Sequence, residues 1–503
     1  MNRRRFLRHG FAGAAAALLR SSSSYHSLAQ SLGTSWQSDG EVPGWTMGRL
    51  PISGSLRVLK SNSRYFTDNS GKAIFLTGSH TWANFQDTGL APIPQFDYPA
   101  FIDMMVKHNH NFMRFWTFEQ AAWAPWTPDK VLNEPLPYLR TGPGLALDGL
   151  PKFDLTRFNP EYFNRMRARL IYARDRDIYA AVQLFQSFSQ RKKPTDYFCG
   201  DPWRGHPYNA GNNINGFNGE KGNSGTVDLQ NPAVRKVQSA YMTHVVETVH
   251  DLDNVLFEVI NEGGNKDWDW WVIDFIRQSE AKRGCSHPIG LTGYNAEPLS
   301  SMLQSSCDWC SPGSTDGEFY KDNPPAWSGK KVCILDTDHL WGIGGNPLWA
   351  WKSFCRGYNT LFMDPWMPGS DVRFCPPPSP PPFPPPGDPM RIGDQPWIWE
   401  PTRMAMGNTR TYALRMNLAA MAPHDELSSS RYCLANPGAE YLIFLPEGYE
   451  VHVDLTGSKR TYSVEWMHPV TGITIGGGTV TGGTKPDFFV PFSGPAVLYL
   501  KGC

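Results

Sequence analysis

The chain is poor in charge. Only 19% of its 503 residues are Asp, Glu, Lys or Arg, and 47 basic side chains balance 47 acidic ones. That excludes the basic face on which a nucleic-acid binder relies. Long apolar runs are also missing: GFAGAAAALL at 10–19 has about half of the roughly twenty residues that a membrane-spanning helix needs. The chain has nine cysteines, an odd number, so at least one is free or pairs between chains. The lone C-x-x-C, Cys307 and Cys310, has no second pair to complete a four-thiolate zinc site. Cys333 and Cys355 sit in apolar runs, where a thiol behaves as a small hydrophobe.

What the chain has in quantity is aromatic: 19 Trp, 19 Tyr and 28 Phe. These supply broad apolar faces with polar edges. At the amino end, Arg3-Arg4-Arg5-Phe6-Leu7-Arg8, the short apolar stretch and a serine-rich segment ending at Ala29 read as a twin-arginine export signal. Its removal takes away five arginines and no acid, which leaves an acidic exported protein without a membrane span. Residues 30–55 read as a linker.

Beyond it, apolar or β-branched runs bounded by turn residues recur at 73–78, 111–116, 178–185, 254–260, 287–293, 307–311, 331–336 and 359–364. Helix-like segments alternate with them at 98–108, 160–176, 231–251, 267–283, 297–305, 319–327, 346–357 and 403–422. Asn159-Pro160 and Asn231-Pro232 each set a capping residue before a proline at the first helical position. Eight strand-then-helix units predict a (β/α)8 TIM barrel over 56–424. The segment 56–78, with Asn69-Ser70-Gly71 as a turn, predicts a hairpin capping the bottom of the barrel. The stretch PPPSPPPFPPPGDP at 376–389 is polyproline-like and reads as a loop between the eighth strand and its helix. After residue 425, short alternating runs with closely spaced turns predict a small all-β sandwich over 425–503.

In such barrels the chemistry sits where strands end at the carboxyl face. Here those ends carry Ser79, His80 and Trp82; Arg114, Trp116 and Glu119; Gln183 and Gln186; Asn261 and Glu262; Asp336, Asp338, His339 and Trp341; Asp364 and Trp366. Glycoside hydrolysis needs two carboxyl groups flanking one bond. Strands four and seven, across the mouth from each other, supply Glu262 as acid/base and Asp336 or Asp338 as the second acid. Asp336 continues the strand and shares side-chain parity with Val332 and Ile334, which favours it as nucleophile; Asp338 has the same parity if the strand runs two residues further. Asn261 is placed to hydrogen-bond a sugar hydroxyl. His80 and His339 stand at the rim, and the indoles of Trp82, Trp116, Trp341 and Trp366 are suited to stacking on sugar rings. The chemistry requires no cofactor and no metal.

The stretch VLFEVINEGG at the fourth strand resembles the clan of retaining eight-fold-barrel glycoside hydrolases. The resemblance implies Glu262 as acid/base, an acid on the seventh strand as nucleophile, and Arg114 and Trp366 as substrate-site residues. RYFTDNSGKAIFLTGSHTW, NFMRFW, NEGG and ILDTDHLWGIGG are similar to the cellulase-like, apiosidase-related bacterial hydrolases. The tail from RYCLANPG to PFSGPAVLYL resembles a small domain labelled collagen-binding. Together these resemblances span about 56–503. In the clan the seventh strand usually ends in glutamate, whereas aspartate stands here at both positions. Two other classes fit parts of the pattern. One is a metal-dependent barrel hydrolase using His80, Asp336, Asp338 and His339. The single H-x-H, His108-Asn109-His110, lies before strand two, at the wrong end of a barrel for such a role. The other is a non-catalytic binder of carbohydrate or matrix working through the tail. A carbohydrate substrate is the expected partner, with sugar, linkage and oligomeric state open.

Overall fold

The computed structural model describes residues 51–190, 199–219, 226–293, 298–313, 319–366 and 399–503. The expected leader at 1–29, most of the linker and the proline-rich loop at 376–389 lie outside the described residues.

Eight parallel strands form one sheet: β1 (Thr77–His80), β2 (Phe112–Phe115), β3 (Tyr179–Gln186), β4 (Val255–Asn261), β5 (Ile289–Thr292), β6 (Trp309–Ser311), β7 (Val332–Asp336) and β8 (Asn359–Met363). Their spatial order, β1-β8-β7-β6-β5-β4-β3-β2, is the cyclic order of a TIM barrel. The seam between β1 and β2 is closed by Asn111. Its backbone N–H donates to the Thr77 carbonyl at 2.9 Å, and its Oδ1 accepts from the Thr77 N–H at 3.0 Å. Gly78 permits this approach, since a Cβ there would lie 2.0 Å from the Phe112 carbonyl oxygen.

Around the sheet run α1 (Tyr98–Lys107), α2 (Pro160–Arg174), α3 (Pro232–Val249), α4 (Lys266–Ala281), α5 (Leu299–Gln304), α6 (Phe319–Asp322), α7 (Pro347–Cys355) and α8 (Glu400–Arg415). The caps work as the sequence reading expects: the side chains of Asn159 and Asn231 accept from the first free N–H groups of α2 and α3. The inward faces of the helices and the outward faces of the strands share one continuous core. Cys333 and Cys355 belong to it, and burial pushes the Cys307 thiol up to about 12, where it is inert. At the amino end of the barrel, Leu56, Phe66, Ile74, Leu76, Leu256, Trp309, Val332 and Leu361 form a separate plug. The 56–78 segment builds part of it, with Arg57–Val58 pairing antiparallel to Phe66–Thr67. Packing starts before the expected boundary at 56, because the Ser53 N–H already donates to Asp68. No helix among the described residues is long and apolar enough to cross a membrane.

Two features fill in the expected layout. The long connection after β2 holds the hairpin Tyr138–Leu145/Pro151–Phe158, and its Leu132–Glu134 pairs with Asp87–Gly89. The tail is a six-stranded antiparallel sheet, in the order 422–423, 433–436, 440–445, 496–502, 461–467, 474–481, backed by the two-stranded ribbon Glu450–His452/Asp487–Phe489. Its central strand Glu440–Leu445 is buried on both faces. Tyr441, Ile443 and Leu445 point into the tail's own core, while Leu442 and Phe444 join that of the barrel. Trp351 of α7 stacks on Phe444 at 6.1 Å and donates its indole N–H to the Pro469 carbonyl at 2.9 Å. Arg415 of α8 makes a two-pronged ion pair with Glu465 at 2.7 and 3.0 Å. Burying Leu442, Phe444, Met467, Val497 and Tyr499 contributes roughly 10 kcal/mol at 1.5–3 kcal/mol each, comparable to the whole stability of an ordinary domain. A chain ending at residue 424 is therefore expected to be insoluble or non-cooperative in thermal unfolding. A truncated chain that melts sharply and keeps full activity would show the opposite.

Candidate active site

The site is built upward from one buried arginine. Arg114 of β2 points into the barrel above the apolar plug and is only 1% exposed. Glu258 of β4 grips it with two hydrogen bonds, Nε to Oε2 at 2.6 Å and Nη2 to Oε1 at 2.5 Å. The other edge of the guanidinium donates from Nη1 to Asp336 at 3.2 Å and to Asp338 at 2.8 Å, and from Nη2 to Asn261 Oδ1. Burial alone would weaken this cation, but Glu258, Asp336 and Asp338 outweigh burial and hold it protonated. One guanidinium thus fixes side chains from β2, β4 and the end of β7.

Asp336 closes β7 and caps the helical turn Thr337–Leu340, its Oδ1 accepting the Asp338 N–H at 2.9 Å. The chain does not continue as a strand; it folds back, carrying Asp338 and His339 over the mouth. Asp336 is used up by this work. Its Oδ1 also lies 3.0 Å from His80 Nε2, and its Oδ2 holds Arg114. Burial pulls the Asp336 carboxyl upward, but His80 and Arg114 overcome it and keep the group well below the usual carboxylate range. Asp338 goes the other way. Burial raises it, Asp336 adds repulsion, and Arg114 and His80 offset only part of that. Two acids two residues apart are pushed in opposite directions, which is how one site separates the roles of like groups.

Glu262 comes directly after β4 with φ at +49°, a left-handed conformation costing a glutamate about 1–2 kcal/mol. Such strain in a residue held at a cleft points to function. Ser187 Oγ donates to the Glu262 carbonyl at 2.9 Å, and Gly264, with φ +90°, completes the turn. Carboxylate oxygens of Glu262 and Asp338 and a ring nitrogen of His339 all lie within 4.8 Å of one another. His339 is held at both nitrogens, with Nδ1 2.9 Å from Ser311 Oγ and Nε2 3.3 Å from Asn261 Oδ1. Burial, with Arg114 next, lowers it to about 3, so the ring is neutral. Asn261 donates to Gln186 Oε1 at 2.8 Å. Its Oδ1 is thus taken up by Arg114 and His339, while the amide nitrogen, with two N–H donors, spends one on Gln186.

The aromatic wall begins with Trp116, which stacks on His80 with centroids 5.7 Å apart and lies under Arg114 at 4.9 Å. Trp82 meets Trp116 edge-on and stacks on Trp126 at 4.5 Å. Glu262, Asp336, Asp338, His80, Arg114, Trp116, Asn261 and His339 are thus brought together, with Trp82 beside them. Trp341 and Trp366 are placed differently: Trp341 packs edge-on against Trp349 of α7, and Trp366 packs on Phe96 and Phe101 beside α1. Asp364 has a structural task, a buried two-pronged pair with Arg403 of α8 at 2.7 and 2.6 Å. Glu119 accepts the Gln186 N–H at 2.8 Å. Ser311 and Trp126 are site residues that the sequence reading did not single out, and Gln186 was named there only as a strand-end residue, without a role. Gln186 and Ser311 each end a barrel strand, and that position was the available signal. Trp126 lies in a loop and gave none.

A family model described as a domain of unknown function (DUF6298) matches residues 106–296, from the end of α1 to just beyond β5. No match is found among the curated proteins. Among solved structures, the chain is similar to a glycoside hydrolase family 5 protein from Bacteroides vulgatus ATCC 8482, with a TM-score of 0.58 at 12% identity over 89% of this chain and 94% of that one. It is also similar to a structure described as a glycoside hydrolase, with a TM-score of 0.54 at 13% identity over 89% and 97%. A third, a candidate glycoside hydrolase from the same Bacteroides strain, gives 0.55 at 12% over 91% and 84%. At such identities the likeness establishes the shared barrel-plus-tail fold.

Proposed function

We propose that this chain is an exported glycoside hydrolase that cleaves O-glycosidic bonds of oligo- or polysaccharides with retention of configuration. The observation carrying the proposal is the approach of Glu262 and Asp338, each of which brings one carboxylate oxygen within 4.8 Å of the other's across the mouth of an eight-strand barrel. Carboxyl groups about 5–5.5 Å apart attack directly, whereas inversion through water needs about 6.5–9.5 Å. The three similar structures, each described as a glycoside hydrolase or a candidate one, support the glycoside hydrolase class of the reading.

In this reading the nucleophile is Asp338, reversing the preference that strand parity gave Asp336. The Asp338 carboxylate attacks the anomeric carbon while Glu262 protonates the departing glycosidic oxygen; one C–O bond forms as the other breaks. Glu262 then takes a proton from water, which attacks the same carbon and frees Asp338. Arg114 orients Asp338, Asp336 holds the turn that presents it, buried Trp116 backs Arg114 and His80, and the stacked pair Trp82 and half-buried Trp126 provides the apolar face for the sugar. The test is hydrolysis of a panel of plant and microbial glycans by the purified chain, with products identified by mass. Release of defined oligosaccharides by the wild type but not by Glu262→Gln supports the reading, and equal release by both refutes it.

One observation favours a second reading. Glu262, Asp338 and His339 have the donor types and spacing of a divalent-metal site, and a neutral His339 is a competent ligand. This is a different set from the one expected by sequence, since His80 and Asp336 are paired with each other. A metal would have to displace Asn261 or Asp338 from the His339 ring. The glycosidase reading predicts full activity after exhaustive chelation and substoichiometric metal by elemental analysis. Stoichiometric zinc or manganese, with activity lost on chelation and restored on its return, would favour the metal hydrolase.

A further inference from the structure

The sequence Lys266-Asp-Trp-Asp-Trp-Trp-Val-Ile-Asp-Phe places tryptophans on both sides of α4. Trp268, Val272, Ile273 and Ile276 turn inward and are fully buried, as an amphipathic barrel helix requires. The outer stripe at positions i, i+3, i+4, i+7, i+8 and i+11 is unusual: Asp267, Trp270, Trp271, Asp274, Phe275 and Gln278 line an open surface cavity of about 380 Å³. Trp271 and Phe275 contact each other at 6.0 Å and brace against the core, which makes the floor rigid. Trp270 stands apart from that core, half-buried, with Lys266 Nζ 4.7 Å from its ring centroid.

The size of this cavity falls in the range of small-ligand sites, roughly 300–1,000 Å³. Six side chains on one helix are too few for a stable protein partner, which needs ~800 Å² from each side. Two aspartates beside a single lysine disfavour phosphate-bearing ligands such as nucleic acid or anionic lipid. A sugar ring fits all three features. Its C–H face lies on an indole, its hydroxyls donate to Asp267, Asp274 and Gln278, and successive rings extend along the helix, where Asp267 and Asp274 are about 10 Å apart in axial rise. The helix starts four residues after Glu262, so the stripe leads away from the catalytic mouth.

We propose that the outer face of α4 is a second carbohydrate-binding site, separate from the mouth, that holds a neutral segment of the polymer substrate. The proposal rests on the glycosidase reading for its ligand class, and its test does not depend on turnover. The full-length Glu262→Gln chain is run on native gels containing hydroxyethylcellulose, galactomannan or polygalacturonate, with and without the added substitutions Trp270→Ala and Asp274→Ala. At least one neutral polymer is expected to retard the Glu262→Gln chain, the acidic polymer not, and Trp270→Ala to weaken the retardation about tenfold or more. In the otherwise wild-type chain, Trp270→Ala is expected to leave hydrolysis of a short oligosaccharide unchanged. No retardation by either neutral polymer, equal retardation by polygalacturonate, or retardation unaffected by both substitutions overturns the inference. Hydrolysis of the same polymers by the wild type is scored separately, so failure of this site and failure of the glycosidase reading give different results.

Discussion

Asp338→Asn is expected to lower kcat by on the order of 10⁴-fold while leaving the thermal midpoint unchanged or higher. The reason lies in the opposite directions in which the two aspartates are shifted. The folded Asp338 carboxyl titrates above its unfolded value, so stability is lost as the pH rises from the unfolded value through the folded one and the full cost is present above it. Asparagine removes that cost at neutral pH and can still accept from Arg114. Asp336→Asn should behave differently. Its folded value is depressed, so it contributes stability above the ordinary aspartate range, and that contribution is lost as the pH falls through the folded value. Replacing it breaks a buried pair with Arg114 and the contact to His80, and is expected to cost about 3–5 kcal/mol at neutral pH. It should also remove the repulsion that raises Asp338, moving the acid limb of kcat/KM to lower pH. Urea melts and pH–rate profiles of the two variants check this. A stable, inactive Asp336→Asn beside an unstable, partly active Asp338→Asn would exchange the two roles.

Glu262→Gln is the second large effect. Loss of general acid/base assistance is expected to lower kcat about 10²–10⁴-fold for substrates whose leaving group needs a proton. Substrates with an acidic phenol as leaving group should lose much less in the first step and then stall at hydrolysis of the glycosyl enzyme. Added azide should relieve that stall, because it needs no base to attack. The wild-type profile should be a bell, with its acid limb above the ordinary aspartate value because Asp338 must be ionised and its folded carboxyl is raised. An acid limb near pH 3, or no azide effect on the variant, would point away from this pair.

Much of this site was legible because a TIM barrel concentrates its chemistry at strand ends, and strand ends can be read from where apolar runs stop. Each of the eight expected strands matches an observed one; the largest difference is in β1, expected over 73–78 and observed over Thr77–His80. Asn261-Glu262 and Arg114 stood out as polar residues closing buried runs. The order of Asp336 and Asp338 was not legible, since parity assumes a continuing strand, and Asp336 ends it by capping a helical turn. The hairpin at 138–158 was hidden by Gly142-Pro143-Gly144, which interrupts the alternation within its first strand. The sequence placed Trp341 and Trp366 at strand ends but did not show which rings they pack against. Their ring contacts are with Trp349, and with Phe96 and Phe101, whose burial depends on tertiary packing that no local pattern encodes.

The central claim is that Glu262 and Asp338 grip one glycosidic bond from two sides at a distance that permits direct attack. The most direct measurement is proton NMR of the first sugar released from a hydrolysed substrate, recorded before mutarotation. The account predicts an initial product with the same anomeric configuration as the bond cleaved. The opposite anomer as first product would contradict it, because it would require a water between carboxylates set farther apart than these two.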